Sequence, residues 1–276
     1  MKKVVLVGAA GKMGMRVNHN LQHSEFEMSY LEKNPAGIEK LKERGIEVSD
    51  EAKVVPQADM VILAVPDIAL GKVSASIIPM MKKGAMAVTL DPAAALAGKL
   101  FHQADISYFI SHPAHPSVFN WETTPEAQRD FFGGTLAKQA IVCALIHGSE
   151  SDYEMGEKLA KKMYAPVHVS HRITAEQMGM LEPALVETLC STCLTVVREA
   201  LDIVIKKGVP EAAARDFLYG HINIQLGVLF NQIPGAVFSD AANKAIIYAM
   251  PQLFKEDWRK VFDETNIKQQ IRQITE

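Results

Sequence analysis

A short apolar run, Val4-Val5-Leu6-Val7, passes directly into Gly8-Ala9-Ala10-Gly11-Lys12-Met13-Gly14, and a helical pattern follows. A strand that turns through glycines into a helix opens a βαβ unit, which needs a parallel sheet with helices on its faces. The GxxGxxG spacing is a variant of the dinucleotide fingerprint. Gly8 permits the tight turn, Gly11 lets backbone approach a pyrophosphate, and Gly14 lets the helix pack closely. The helix start then offers N–H groups and a positive dipole end to phosphate. Glycines also collect in ordinary turns, and it is the position after an N-terminal strand that gives this set its meaning.

The first two-thirds of the chain keeps this alternation. Strands are predicted near 26–31, 46–48, 60–65, 85–90, 108–111, 139–146 and 167–170, with helices over 12–23, 36–44, 68–81 and 152–163. The run at 60–65 is continuously apolar, as a strand covered on both faces should be. After His171 the spacing becomes helical. Thr174-Ala175-Glu176-Gln177 reads as a capping box, and the helix it opens is predicted to reach Lys207 before Gly208 and Pro210. Two further helices are predicted, 211–230 and 240–250. The expectation is a doubly wound Rossmann-type α/β domain over 1–171 and an all-helical domain over 172–276.

Composition narrows the classes of function. The chain has 276 residues, 48% of them hydrophobic and 22% charged, enough to build cores and too apolar for disorder. With 29 Lys+Arg against 32 Asp+Glu it lacks the basic excess that nucleic acid requires. No stretch reaches the ~18 consecutive apolar residues of a membrane span. Cys143, Cys190 and Cys193 cannot all pair, and they read as buried thiols in a reducing, cytoplasmic protein.

Glu32 ends the second strand, where an acid accepts hydrogen bonds from ribose hydroxyls, which favours NAD over NADP; Lys33 beside it weakens that preference. Asp67, in Ala64-Val65-Pro66-Asp67, follows a strand at the sheet edge where ligands bind, and reads equally well as a helix N-cap. The least ordinary segment is Ser111-His112-Pro113-Ala114-His115-Pro116. Its two prolines stiffen a turn that holds two imidazoles at that same edge, as metal ligands or acid/base groups. On the long helix, α-helical counting puts Glu182 at the head of an apolar stripe with Val186, Leu189, Cys193 and Val197, and Glu187 on a neighbouring face. A divalent ion, zinc or magnesium, held by His112 with Glu182 and Glu187 is chemically sensible, and spacing does not diagnose it. Asn120, His221 and Asn223 are weaker candidates for substrate contacts, with His221 equally a core histidine, and Trp121 and Trp258 read as packing residues.

Taken together, the glycine turn, AVPD, SHPAHPSVF, MYAPV, LEPALVETL and GHIN resemble the D-apionate oxidoisomerase family, one of the 6-phosphogluconate dehydrogenase-like oxidoreductases, over almost the entire chain. The resemblance implies NAD-dependent oxidation of a branched sugar acid coupled to an α-ketol rearrangement, in a homodimer built on the helical domain. It implies that Gly8, Ala10, Gly11, Lys12, Met13 and Gly14 hold the pyrophosphate, Glu32 the ribose, and that Asp67 lies near the cofactor. His112, His115, Glu182 and Glu187 are then the catalytic candidates, and a neighbour's His221 could complete a site. Competing readings are a decarboxylating 3-hydroxyacid or 6-phosphogluconate dehydrogenase, and a non-enzymatic NAD-sensing protein.

Overall fold

The apolar runs form β1 Lys3–Val7, β2 Glu27–Leu31, β3 Met60–Leu63, β4 Met86–Thr89, β5 Ser107–Pro113, β6 Gln139–His147 and β7 Val167–Arg172, in a computed structural model describing residues 1–276. They pair in one sheet of order β2-β1-β3-β4-β5-β6-β7. Around and after it lie α1 Lys12–Leu21, α2 Pro35–Lys42, α3 Glu51–Val54, α4 Asp67–Ile77, α5 Ala93–Leu96, α6 Pro125–Gln128, α7 Glu150–Met163, α8 Ala175–Gly179, α9 Thr192–Lys206, α10 Glu211–Leu229, α11 Asp240–Leu253 and α12 Glu264–Thr275.

Alternate side chains of the strands feed two cores. Val4, Leu6, Ile62, Val88 and Phe109 pack with Val17 and Leu21 of α1 and Leu159 and Met163 of α7. On the opposite face Val5, Val61, Leu63 and Tyr108 pack with Leu70 and Ile77 of α4. This two-sided burial explains why β3 and β4 read as unbroken apolar runs.

Strands β1 to β5 are parallel, and β6 runs antiparallel to β5. The reason lies in the connection: residues 114–138 carry only the four-residue α6, so no crossover helix returns the chain to the opposite edge. The segment after His112 therefore leaves from, and comes back to, the carboxyl edge of β5. The strand expected at 46–48 is absent: Ile46 N turns back to donate to the Leu41 carbonyl (3.0 Å), and the next contact with β2 is from Ser49 N to the Tyr30 carbonyl (2.8 Å).

The helix expected from Thr174 to Lys207 changes character along its length. The capping box forms, but Met180–Ser191 is π-helical before α9 begins. Pro183, inside this segment, has no N–H to give a regular ladder. The chain divides into two compact units, Met1–Leu181 with Lys268–Glu276, and Glu182–Ile267. In the first unit the terminal residues are tied down by burial of Ile271 and by Lys99 Nζ donating to the Thr275 carbonyl (2.7 Å). In the second, many large apolar side chains of α9, α10 and α11 stay exposed, among them Leu194, Ile203, Phe217 and Ile247. No helix is long and apolar enough to cross a membrane.

Candidate active site

The glycine turn is built by close contacts rather than by side chains. Gly8 N and Ala9 N both donate to the Leu31 carbonyl (2.9 and 3.2 Å), fastening the turn to the end of β2. Gly8 has φ +77°, and a Cβ there would lie 2.5 Å from the Ala64 carbonyl oxygen at the end of β3. A Cβ on Gly14 would lie 2.1 Å from the Gly8 carbonyl oxygen. Gly11 is the N-cap of α1 and offers no side-chain acceptor, so no capping side chain takes the N–H groups of the first turn, which begins after β1 beside the point between β1 and β3 where the strand order reverses. This cradle fits a dinucleotide pyrophosphate.

Glu32 closes the turn from the β2 side. Its Oε2 accepts from Ala10 N (3.1 Å) and its Oε1 from Lys33 N (2.9 Å) and Asn34 N (3.0 Å), which locks the carboxylate at the strand end. Two cavities meet at Glu32. One of 340 Å³ runs along Leu31, Lys33, Glu51 and Lys72, and one of 430 Å³ runs along Gly11, Asn34, Lys40 and Pro66. Their size and their shared carboxylate suit the two sides of an adenosine ribose.

At the carboxyl ends of β3, β4 and β5 stand Asp67, Asp91 and His112. His112 Nδ1 is 2.7 Å from the Leu90 carbonyl and 4.0 Å from Asp91 Oδ2. A carbonyl only accepts, so the proton sits on Nδ1 and the basic lone pair of the neutral ring belongs to Nε2. Asp91 is itself fixed, its Oδ1 accepting from Ala93 N (2.7 Å) at the start of α5. Asp67 is pushed up to about 6, first by burial and then by the Asp91 charge, with His112 acting in the opposite direction. The sequence reading missed Asp91, although Leu90-Asp91-Pro92 repeats the strand-then-acid arrangement of Val65-Pro66-Asp67.

His115 is brought beside His112, their ring centroids 6.4 Å apart and the planes near perpendicular. Its φ of +61° is uncommon for a residue with a side chain, and its ring Nδ1 lies 2.8 Å from the Phe132 carbonyl. Phe132 is in turn covered by the Arg16 guanidinium, 4.0 Å from its ring centre.

Other candidates fall differently. Glu182 is half-buried and Glu187 exposed, both in the π-helical segment of the second unit. Counting at α-helical pitch separated their faces, but i→i+5 hydrogen bonding widens the turn and draws residues five apart onto a common side. His221 is exposed, not a core residue, with Nδ1 on the Phe217 carbonyl (2.7 Å) and its ring stacked on Phe217. Asn120 is spent within its own loop, on Glu122 and the Lys138 carbonyl. Trp121 is exposed rather than packed. Of the cysteines only Cys143 is buried, because Cys190 and Cys193 lie on an outward-facing stretch. No group of three or more His, Cys, Asp or Glu side chains is arranged to hold a metal ion.

Residues 120–275 match the family described as phosphogluconate dehydrogenase (decarboxylating) C-terminal, and residues 1–99 the NADPH-binding domain of acetohydroxy acid isomeroreductase. The chain is 50% identical over 275 residues to the D-apionate oxidoisomerase of Cupriavidus necator, covering 99% of each. It is 48% identical over 279 residues to that of Rhizobium rhizogenes, covering 100% of each. Among solved structures, a semialdehyde dehydrogenase NAD-binding protein from Cupriavidus necator, in complex with calcium and NAD, is 50% identical with a TM-score of 0.97, covering 100% of both chains.

Proposed function

The chain belongs to the D-apionate oxidoisomerase family, and on that premise we propose that it oxidises D-apionate with NAD and rearranges the product to 3-oxo-isoapionate. The observation that carries this reading is the approach of His112 Nδ1 to the Leu90 carbonyl (2.7 Å), which assigns the ring's base to Nε2, at the sheet edge that carries the glycine cradle.

The proposed binding groups are Gly8, Ala10, Gly11, Lys12, Met13 and Gly14 for the pyrophosphate and Glu32 for the ribose. Bound NAD supplies the hydride acceptor. His112 Nε2 takes the proton of the secondary carbinol hydroxyl as its hydride leaves, which makes C2 a ketone beside the tertiary alcohol at C3. Deprotonation of the tertiary hydroxyl then lets a hydroxymethyl group move, with its bonding pair, from C3 to C2. C3 becomes the ketone and the C2 oxygen takes up the proton. Carbon is conserved, and the balance is D-apionate and NAD to 3-oxo-isoapionate, NADH and one proton. His115 orients hydroxyls in this scheme, while Asp67 and Asp91 tune the charge around His112.

The division of labour follows the sequence reading, an NAD-binding part over 1–171 and a helical part over 172–276 that forms a homodimer in the cytoplasm. Glu182 and Glu187 are the further acid groups of this proposal. A divalent ion, zinc or magnesium, is a further element of this proposal, with His112, Glu182 and Glu187 as its candidate ligands. The donors gathered in this chain do not by themselves make such a site, so no step above depends on it.

His112→Ala is expected to keep NAD binding and lose turnover, with normal turnover overturning the proposal. Product NMR from labelled D-apionate then tests for the migrated carbon. The match to the decarboxylating dehydrogenase family favours one second reading, oxidation with loss of carbon dioxide, which release of label from the substrate carboxylate would reveal.

A further inference from the structure

A residue well beyond the end of β2 shares a cavity with Glu32. Asp50 caps α3 by accepting from Ala52 N (3.1 Å), and the cap fixes Glu51 as the first helical residue. There Glu51, its side chain only 27% exposed, lines the 340 Å³ cavity together with Glu32 and Lys33. Lys33, 79% exposed, brings its Nζ to 3.0 Å from Glu51 Oε2.

Two carboxylates on one wall oppose the two negative charges of a ribose 2′-phosphate, and the cation adjacent to Glu32 is already paired. Lys40, on the other side, has its Nζ on the Ala10 carbonyl (3.3 Å). We infer that Glu51 is a positioning residue for dinucleotide selectivity, pairing Lys33 so that, although Lys72 also lines this cavity, a 2′-phosphate meets the carboxylates of Glu32 and Glu51 without the counter-charge of Lys33. The inference rests on the NAD reading above and deepens it.

Fluorescence titration of the full-length protein with NADH and with NADPH tests both separately. Wild type should bind NADH more tightly. Glu51→Gln keeps the shape of the side chain and should narrow the NADH-to-NADPH affinity ratio roughly three- to tenfold, the scale of one exposed ion pair and its charge. The gain should come mainly from NADPH and shrink in high salt. In a Lys33→Ala background the same substitution should give less than half that narrowing. An unchanged ratio in Glu51→Gln, or equal narrowing with and without Lys33, overturns the inference while leaving the NAD reading intact. A wild type that does not prefer NADH overturns the reading itself, and the inference with it.

Discussion

Asp67 is the residue whose charge state the fold disturbs most plainly within the site. Its pKa rises from 3.8 to about 6, so the folded chain holds this proton more tightly than the unfolded chain. The associated stability is fully present below about pH 4 and is lost as pH climbs through 6. Asp67→Asn removes the buried charge and should therefore match wild type at acidic pH and exceed it at pH 8. The gain should be about 1–2 kcal/mol, since solvent reduces the ~3 kcal/mol that two pKa units represent. Urea unfolding at pH 4 and pH 8 measures it, and an equal offset at both pH values would contradict the burial argument. Gly14 makes a second prediction at this scale. A methyl group 2.1 Å from the Gly8 carbonyl oxygen forces backbone to move, so Gly14→Ala should lose dinucleotide binding while costing ~1–3 kcal/mol, typical of overpacking. Dinucleotide titration and thermal unfolding separate the two effects.

Elements were legible where periodicity and burial agree. The strands at 60–63 and 86–89 and the glycine turn announce themselves because two-sided burial and close approach leave no other composition workable. The pitch of Met180–Ser191 is not legible, since apolar spacing cannot separate i→i+4 from i→i+5 bonding, and α-helical counting therefore gives Glu182 and Glu187 a relation that the π-helical segment does not keep. Asp91 is inconspicuous in the sequence for a different reason. A strand-end acid also serves as an ordinary turn acceptor, which it does for Ala93, and only the 4.0 Å approach to His112 distinguishes it. The direction of β6 depended on a long connection whose lack of a substantial helix carries no positive signal. Helix α7 gives the prediction proper to this scale. Gly156 lies over Phe109, and a Cβ there would sit 2.5 Å from the ring. Alanine favours helix by up to ~1 kcal/mol, but Phe109 is 1% exposed and has no room to retreat, so the overpacking cost of ~1–3 kcal/mol wins. Gly156→Ala should lower the thermal midpoint, and a raised midpoint would mean the ring had room to move.

The whole molecule carries an imbalance between its units. The sheet unit buries its large apolar side chains in two cores, whereas Glu182–Ile267 leaves Phe217 at 70%, Ile247 at 74% and Leu253 at 71% exposed on successive helices. Single exposed apolar residues are ordinary, but a set of this size across α9, α10 and α11 exceeds what a monomer's surface commonly tolerates. Association offers the remedy: a stable interface removes ~1,600 Å² from water, and apolar area contributes ~25 cal/mol per Å² before the losses of ordering. Homodimerisation through the helical unit predicts a solution mass of twice the 30.3 kDa chain. Phe217→Asp combined with Ile247→Asp should shift that mass to the monomer and lower the thermal midpoint at low protein concentration, where mass action no longer supports the dimer. Sedimentation of wild type as a monomer at micromolar concentration would show that these helices stay uncovered, and would remove the helical unit's proposed role in assembly.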